Sequence, residues 1–337
     1  MPGSAPHSLG TPSNADTTNR TSVWSETDTT LGIDRSWMSW YGAHGGYVAA
    51  LALAAMREDL AGRTGKRVPV RTMGAHFLAP VDGRPLHLTA KVLREGRRTS
   101  MSSVTAVQGG APVLTASAVF GRGGSGPAYA GLPAPAAPGP DACPQLTLPR
   151  ALAAFAAHLE IHPADDARPL GGGERAELLA WIGFADRRPL DAQTLVVLAD
   201  ALPPALYAVW TVPRPVPTAE LTVHFTDALS SGPAQQWALV RISTEHAGSG
   251  WAIENSAIWS TDGRLLALAR QARAVREGFQ TARGTDPTRP AGTSADRGTM
   301  PGDGPLRRPT APSHGQEAAA PASDATAESI SQQEMGD

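Results

Sequence analysis

The stretch HGGYVAALALAAM, His44 to Met56, sets two glycines directly ahead of strong helix formers. A helix that starts there leaves its first N–H groups without partners, and those groups carry partial positive charge. With no side chain at Gly45 or Gly46, a ligand can approach the backbone closely. Two readings are open: an amide of Gly45, Gly46 or Tyr47 polarises a ligand oxygen, or the glycines only allow a tight turn and close helix–sheet packing. The second chemical candidate is Asp200, in the apolar run LVVLADALPP. A lone carboxylate is costly to bury, so this one must be paired, hydrogen-bonded or set at a cavity. Glu220 alternates onto the same strand face as Thr218 and is an alternative base. His76 and His224 each precede a Phe at matching points of two similar segments, which argues for a structural role.

Other chemistries find no support. There is no GxSxG elbow, HExxH pair, Walker loop or GxGxxG ahead of a strand–helix unit. The single cysteine, Cys143, rules out an intramolecular disulfide and a cysteine-based metal cluster. No metal or other cofactor is expected. With 29 basic and 31 acidic residues the net charge is −2, so no global field favours nucleic acid or an anionic membrane. The start of the chain lacks the basic and apolar regions of a secretory signal. The longest apolar run, Tyr47 to Met56, falls well short of the roughly 18 residues of a membrane span. A soluble, cytoplasmic protein is the expectation.

The elements that must position these residues fall into two halves. In the first, Trp37–Tyr41 is short and aromatic, and Gly45 to about Leu60 has helical spacing of Val48, Leu51, Ala52 and Ala55. VRTMGAHFLAPV and LHLTAKVLREG read as strands, and TSMSSVTAVQ and PVLTASAVFG as a hairpin around Gly109-Gly110. In the second half AAFAAHLEIHP and ERAELLAWIGFAD are strand-like. A helix is expected over Leu190 to Ala208, with Asp191 at its start and Pro203-Pro204 breaking its end. Four strands follow, the last entered through Asp262-Gly263. HFLAPV answers HFTDAL, LTAKVLREG answers WALVRISTE, and GGAPVLTASA answers DGRLLALAR. A repeat of this length means two copies of one fold, packed as a fused symmetric dimer would be.

These segments, with GGYVAALALAAM, LADALPPALY, TAELTVHF and WSTDGRLLALARQARAV, resemble acyl-CoA thioesterases of the double-hotdog class, the bacterial type II family, over about residues 45 to 275. The resemblance implies an α+β fold of two tandem hotdogs, each a long helix wrapped by a curved antiparallel sheet, related by a pseudo-twofold axis. The expected boundaries are a disordered N-terminus over 1–22, a first hotdog over 23–122 and a Pro/Gly/Ala-rich linker over 123–149. A second hotdog over 150–279 and a disordered tail over 280–337 complete the chain. The resemblance also implies an acyl-CoA substrate, a role in lipid metabolism and possible association into a homo-oligomer.

Carried over position by position, the family's water-activating trio falls on Asp200, Thr218 and Gln271. A carboxylate takes the proton of a water, while a Thr hydroxyl and a Gln amide aim that water at the thioester carbon. The amides of Gly45, Gly46 and Tyr47 become candidates for the thioester oxygen. Arg94 and Arg97 are candidates for the CoA phosphates, and Leu51, Leu53, Val196 and Val197 for the wall of the acyl tunnel. Two other functions stay open at this point. One is a double-hotdog dehydratase or hydratase, with His44 as base and Asp200 as its partner. The other is a non-catalytic acyl-CoA-binding module.

Overall fold

A computed structural model describes residues 26–230 and 232–277. The segments expected to be disordered, 1–22 and 280–337, lie outside the described residues. In chain order the elements are β1 (Thr27–Leu31), β2 (Met38–Ser39), β3 (Gly42–Ala43), α1 (Gly45–Thr64), β4 (Val70–Phe77), β5 (Leu86–Arg94), β6 (Thr99–Gln108) and β7 (Ala111–Gly121). They continue with β8 (Leu159–Pro163), β9 (Glu177–Phe184), α2 (Ala192–Leu198), β10 (Thr218–Phe225), β11 (Trp237–Gly248), β12 (Trp251–Ser260) and β13 (Leu265–Ala274).

Eleven of these strands form one antiparallel sheet in the order β1-β5-β6-β7-β4-β10-β13-β12-β11-β9-β8, and β2 and β3 pair separately. Counted outward from the central pair β4·β10, the order repeats: β7 answers β13, β6 answers β12, and β5 answers β11. Gly74 and Thr222 stand directly opposite each other in that central pair. They also hold matching places in the repeat, two residues before His76 and His224. A side chain at Gly74 would come within 3.3 Å of the Thr222 hydroxyl, a tight contact that Thr222 would have to relieve. The tight turns expected at Gly109-Gly110 and at Gly263 are present, all three glycines having positive φ.

Helix α1 runs 20 residues, about 30 Å. Its stripe of Ala49, Ala52, Leu53, Met56 and Leu60 is buried within the sheet, and Gly65 caps it in the left-handed conformation. The second helix departs from expectation. Only Ala192–Leu198 is α-helical, and Ala205–Ala208 is a separate 3₁₀ turn. Proline at 203 cannot donate to the carbonyl of Ala199, and its ring clashes there, so the helix ends at Leu198 with Ala199 as its cap. The image of two long helices therefore holds for one of them. Leu51, Leu53, Val196 and Val197, expected to line a tunnel, are buried in the hydrophobic core instead.

Two further differences concern a segment given no element in the sequence and one read as a linker. The polar run TDTTL forms β1, an edge strand tied to α1 by the Thr27 hydroxyl, which donates to Asp59 Oδ1 at 2.6 Å. The proline-rich segment read as a linker is a strap on the outer face of the second half's sheet. Leu132, Ala134, Ala137 and Cys143 pack there against Leu179, Trp181, Leu239 and Trp259. The indole of Trp259 donates to Leu132 O at 3.1 Å, and that of Trp181 to Pro138 O at 2.7 Å. Carbonyls in a proline-rich run, where backbone N–H partners are few, suit tryptophan donors, which bring apolar area with one polar handle. Trp259→Ala is expected to cost about 3–5 kcal/mol of stability, read by denaturant unfolding, and to open residues 122–149 to limited proteolysis.

Candidate active site

The site forms where the N-terminus of α1 meets the end of α2. Ending α2 at Leu198 leaves the carbonyls of Ala199 and Asp200 to find partners elsewhere, because Pro203 and Pro204 stand where their helical donors would be. Gln271 Nε2, from β13, donates to Ala199 O at 3.0 Å, and the Ser256 hydroxyl also approaches it, at 3.4 Å. His44 Nε2 lies 2.8 Å from Asp200 O. Each carbonyl thereby ties a side chain of the site to the broken helix.

The imidazole of His44 caps α1, its Nδ1 accepting the Tyr47 amide at 3.1 Å. An accepting Nδ1 makes Nε2 the protonated nitrogen, the donor to Asp200 O. Burial lowers the His44 pKa below its ordinary value, against the pull of the Asp200 charge. The ring is held further by Phe155, at 4.1 Å between centroids, while Trp37 stacks between Tyr47 and His158 at 4.5 and 4.2 Å.

Asp200 is 8% exposed. Its Oδ2 accepts the Gly46 amide at 2.9 Å, and its Oδ1 accepts Arg273 Nη2 at 3.1 Å, with the Thr218 hydroxyl 3.4 Å away. The Thr218 hydroxyl donates to Gln271 Oε1 at 3.0 Å and accepts from Arg273 Nη1 at 2.9 Å. Arg273 also pairs with the buried Glu254. The three carried-over residues thus converge, although Asp200 and Gln271 lie 71 positions apart. Gln271 does not reach the cavity. It is 1% exposed, and its amide spans Ala199 and Thr218 rather than facing an open space.

The two glycines now have a physical reason. A side chain on Gly45 would lie 2.8 Å from Asp200 Oδ2, and one on Gly46 would lie 2.9 Å from Val196 O. Their absence lets α1 press its first turn against the Asp200 carboxylate. The oxyanion assignment narrows as a result. The Gly46 amide is taken by Asp200 and the Tyr47 amide by His44, both inside the protein. Among the described residues no group accepts the Gly45 amide, and Gly45 lines the cavity.

That cavity has a volume of about 430 Å³. Asp200, Thr218, Arg273 and His44 reach its wall, which is otherwise mostly apolar, with Tyr41, Phe77, Leu148, Phe155 and Leu202 among its residues. Arg94 and Arg97 are exposed on the β5–β6 hairpin and do not line it, whereas the exposed Arg276 does. Glu220 is bonded by the Thr222 hydroxyl and also lies outside the lining. His76 and His224 are exposed. Arg273 and Glu254 went unread in the sequence. Each sits in an alternating strand whose sequence does not say which face is inward, and only the fold shows both positions buried.

The family model for the acyl-CoA thioesterase N-terminal domain matches residues 33–121, and that for the C-terminal domain matches 140–275. An uncharacterised protein of Mycobacterium tuberculosis is 25% identical over 268 residues, 71% of this chain and 88% of its own length. Among solved structures, a hotdog-fold protein of unknown function from Alicyclobacillus acidocaldarius superposes with a TM-score of 0.69 at 23% identity, over 75% of this chain and 94% of its own. The acyl-CoA thioesterase II TesB2 of Mycobacterium marinum superposes with a TM-score of 0.56 at 23% identity, over 71% and 92%. These likenesses identify the fold as hotdog.

The lowered His44 pKa has a sign that can be read in stability. An unfolded imidazole titrates near 6.5, so as pH falls the unfolded chain takes up this proton before the folded one. The contribution is complete above about pH 6.5 and is lost as pH falls from there through the lower folded value. His44→Gln is expected to show a smaller fall in Tm between about pH 7.5 and about pH 5.5 than the unaltered chain. Thermal unfolding followed by circular dichroism at the two pH values measures it.

Proposed function

This chain belongs to the acyl-CoA thioesterase family, and from that premise we propose that it hydrolyses acyl-CoA thioesters to free acid and CoA, with Asp200 as general base. The observation that carries the reading is a nearly buried carboxylate at the wall of an apolar cavity, held by the Gly46 amide on one oxygen and Arg273 on the other. Each carboxylate oxygen has a second lone pair, so both can take a further hydrogen bond. A water on Asp200 gives it a proton as the oxygen attacks the thioester carbon. The carbonyl electrons move onto the oxygen, which the Gly45 amide can receive. Collapse of that intermediate breaks the C–S bond, and the departing thiolate takes the proton from Asp200. Thr218 orients the water beside Asp200. Gln271 acts one step back, holding the Thr218 hydroxyl.

The same proposal includes two tandem hotdog units, over 23–122 and 150–279, joined by 123–149. The repeated strand order around β4·β10 supports it. The acyl chain is assigned to the apolar wall formed by Phe77, Leu148, Phe155 and Leu202. The lyase alternative needs His44 as a base. It loses ground because Nδ1 accepts the Tyr47 amide and Nε2 faces the Asp200 carbonyl, leaving no lone pair for a substrate proton.

Asp200→Asn is expected to lower kcat on the order of 10²–10⁴-fold across a panel of acyl-CoAs, measured by thiol release. Retention of activity within a fewfold would remove Asp200 from the mechanism. Loss of an enoyl chromophore without thiol release would favour the lyase.

A further inference from the structure

The repeat supplies an internal control for the polar cluster. In the second half Thr218 pairs with Arg273 across β10·β13, Gln271 pairs with Glu254 across β12·β13, and Glu254 pairs with Thr244 across β11·β12. In the first half the same ladder positions are Val70 with Phe120, Ala118 with Ser102, and Ser102 with Val92. The match extends to irregularities. A register shift follows Thr218 and also Val70, and another follows Thr244 and also Val92. Phe120 thus stands where Arg273 does, and it is fully buried. The sheet folds with this frame filled by apolar side chains and one serine.

The polar version is expensive by comparison. Arg273 is 5% exposed and Glu254 is 0% exposed. Taking two charges from water costs more than apolar packing of similar volume, unless geometry compensates. Here the compensation is directed at the site. The Arg273 guanidinium reaches Asp200 Oδ1, the Thr218 hydroxyl and, at 3.4 Å, Val216 O. Glu254 faces its other edge. Glu254 Oε1 accepts the Ala205 amide at 2.7 Å and the Thr244 hydroxyl at 3.1 Å, which ties the chain beyond the two prolines to the same pair.

We propose that the buried Arg273–Glu254 pair is a positioning element of the hydrolytic site, fixing the Asp200 carboxylate and the Thr218 hydroxyl in one relative geometry. Arginine is required because its planar fork presents parallel donors, where lysine presents a single point charge. By donating to Thr218 Oγ, Arg273 directs the hydroxyl proton away from itself, toward Gln271 or Asp200. Glu254 neutralises the guanidinium, so that Asp200 is not the only anion answering it. This inference rests on the hydrolase reading and adds two residues to it.

The test borrows from the other half of the molecule. The double variant R273F/E254S installs the pair found at Phe120 and Ser102. Expected results are a kcat lower by roughly 10²-fold in a chain that still folds, and a Kd for a non-hydrolysable acyl-CoA thioether within a few-fold of the unaltered chain. A purely structural pair would give a lower Tm with kcat preserved, and that result overturns the proposal. Should the double variant not fold, R273K decides. It keeps the charge and loses the fork, and a kcat equal to that of the unaltered chain overturns the proposal. A drop of at least about tenfold with KM little changed upholds it. Turnover by the unaltered chain separates the two readings. Its absence on every acyl-CoA sinks the hydrolase assignment and this one with it. Its presence alongside a fully active R273F/E254S sinks the positioning role alone.

Discussion

Two backbone carbonyls, those of Ala199 and Asp200, organise the centre of this molecule. The prolines four residues on deprive them of helical donors, and a buried carbonyl left alone is costly. Gln271 and His44 supply the donors, one from the far edge of the β10–β13 ladder and one from the cap of α1. A break in α2 is therefore what draws strand, helix and carboxylate together. The same break shortens α2 to seven residues, which a repeat built for symmetry alone would not need.

The molecule is duplicated in its frame and unequal in its contents. Strand order, ladder register and even the bulges recur in the two halves. Inside that shared frame one half carries threonine, glutamine, arginine and glutamate, and the other carries valine, alanine, phenylalanine and serine. Hydrophobic burial is non-directional and roughly proportional to area, so it fills a frame without specifying an orientation. Hydrogen-bonded charge does the opposite: it costs stability and fixes angles. The apolar half contributes core, and the polar half spends some of that stability on geometry.

Much of this was legible in the chain. The alternation of β4 to β7 and β10 to β13, the two tight turns and the glycine pair ahead of α1 are local signals, and each corresponds to an observed element. Asp200 stood out because a carboxylate in LVVLADALPP has no apolar explanation. What escaped is non-local. Glu254 and Arg273 read as ordinary members of alternating strands, and only the fold shows that both face inward and meet. β1 is a polar edge strand whose pairing with β5 supplies what its own residues do not signal. The extent of α2 was overread because apolar periodicity continues past the point where proline geometry forbids the helix.

The proline-rich strap carries a consequence for how the halves are joined. After crossing the tryptophans of the outer face, the same run of chain turns inward, and Leu148, Leu152 and Phe155 become part of the cavity wall. Connection and enclosure are one piece of polypeptide. A single cut between residues 137 and 146 would part the strap from the segment that closes the cavity, so one event would loosen both the outer face and the enclosure.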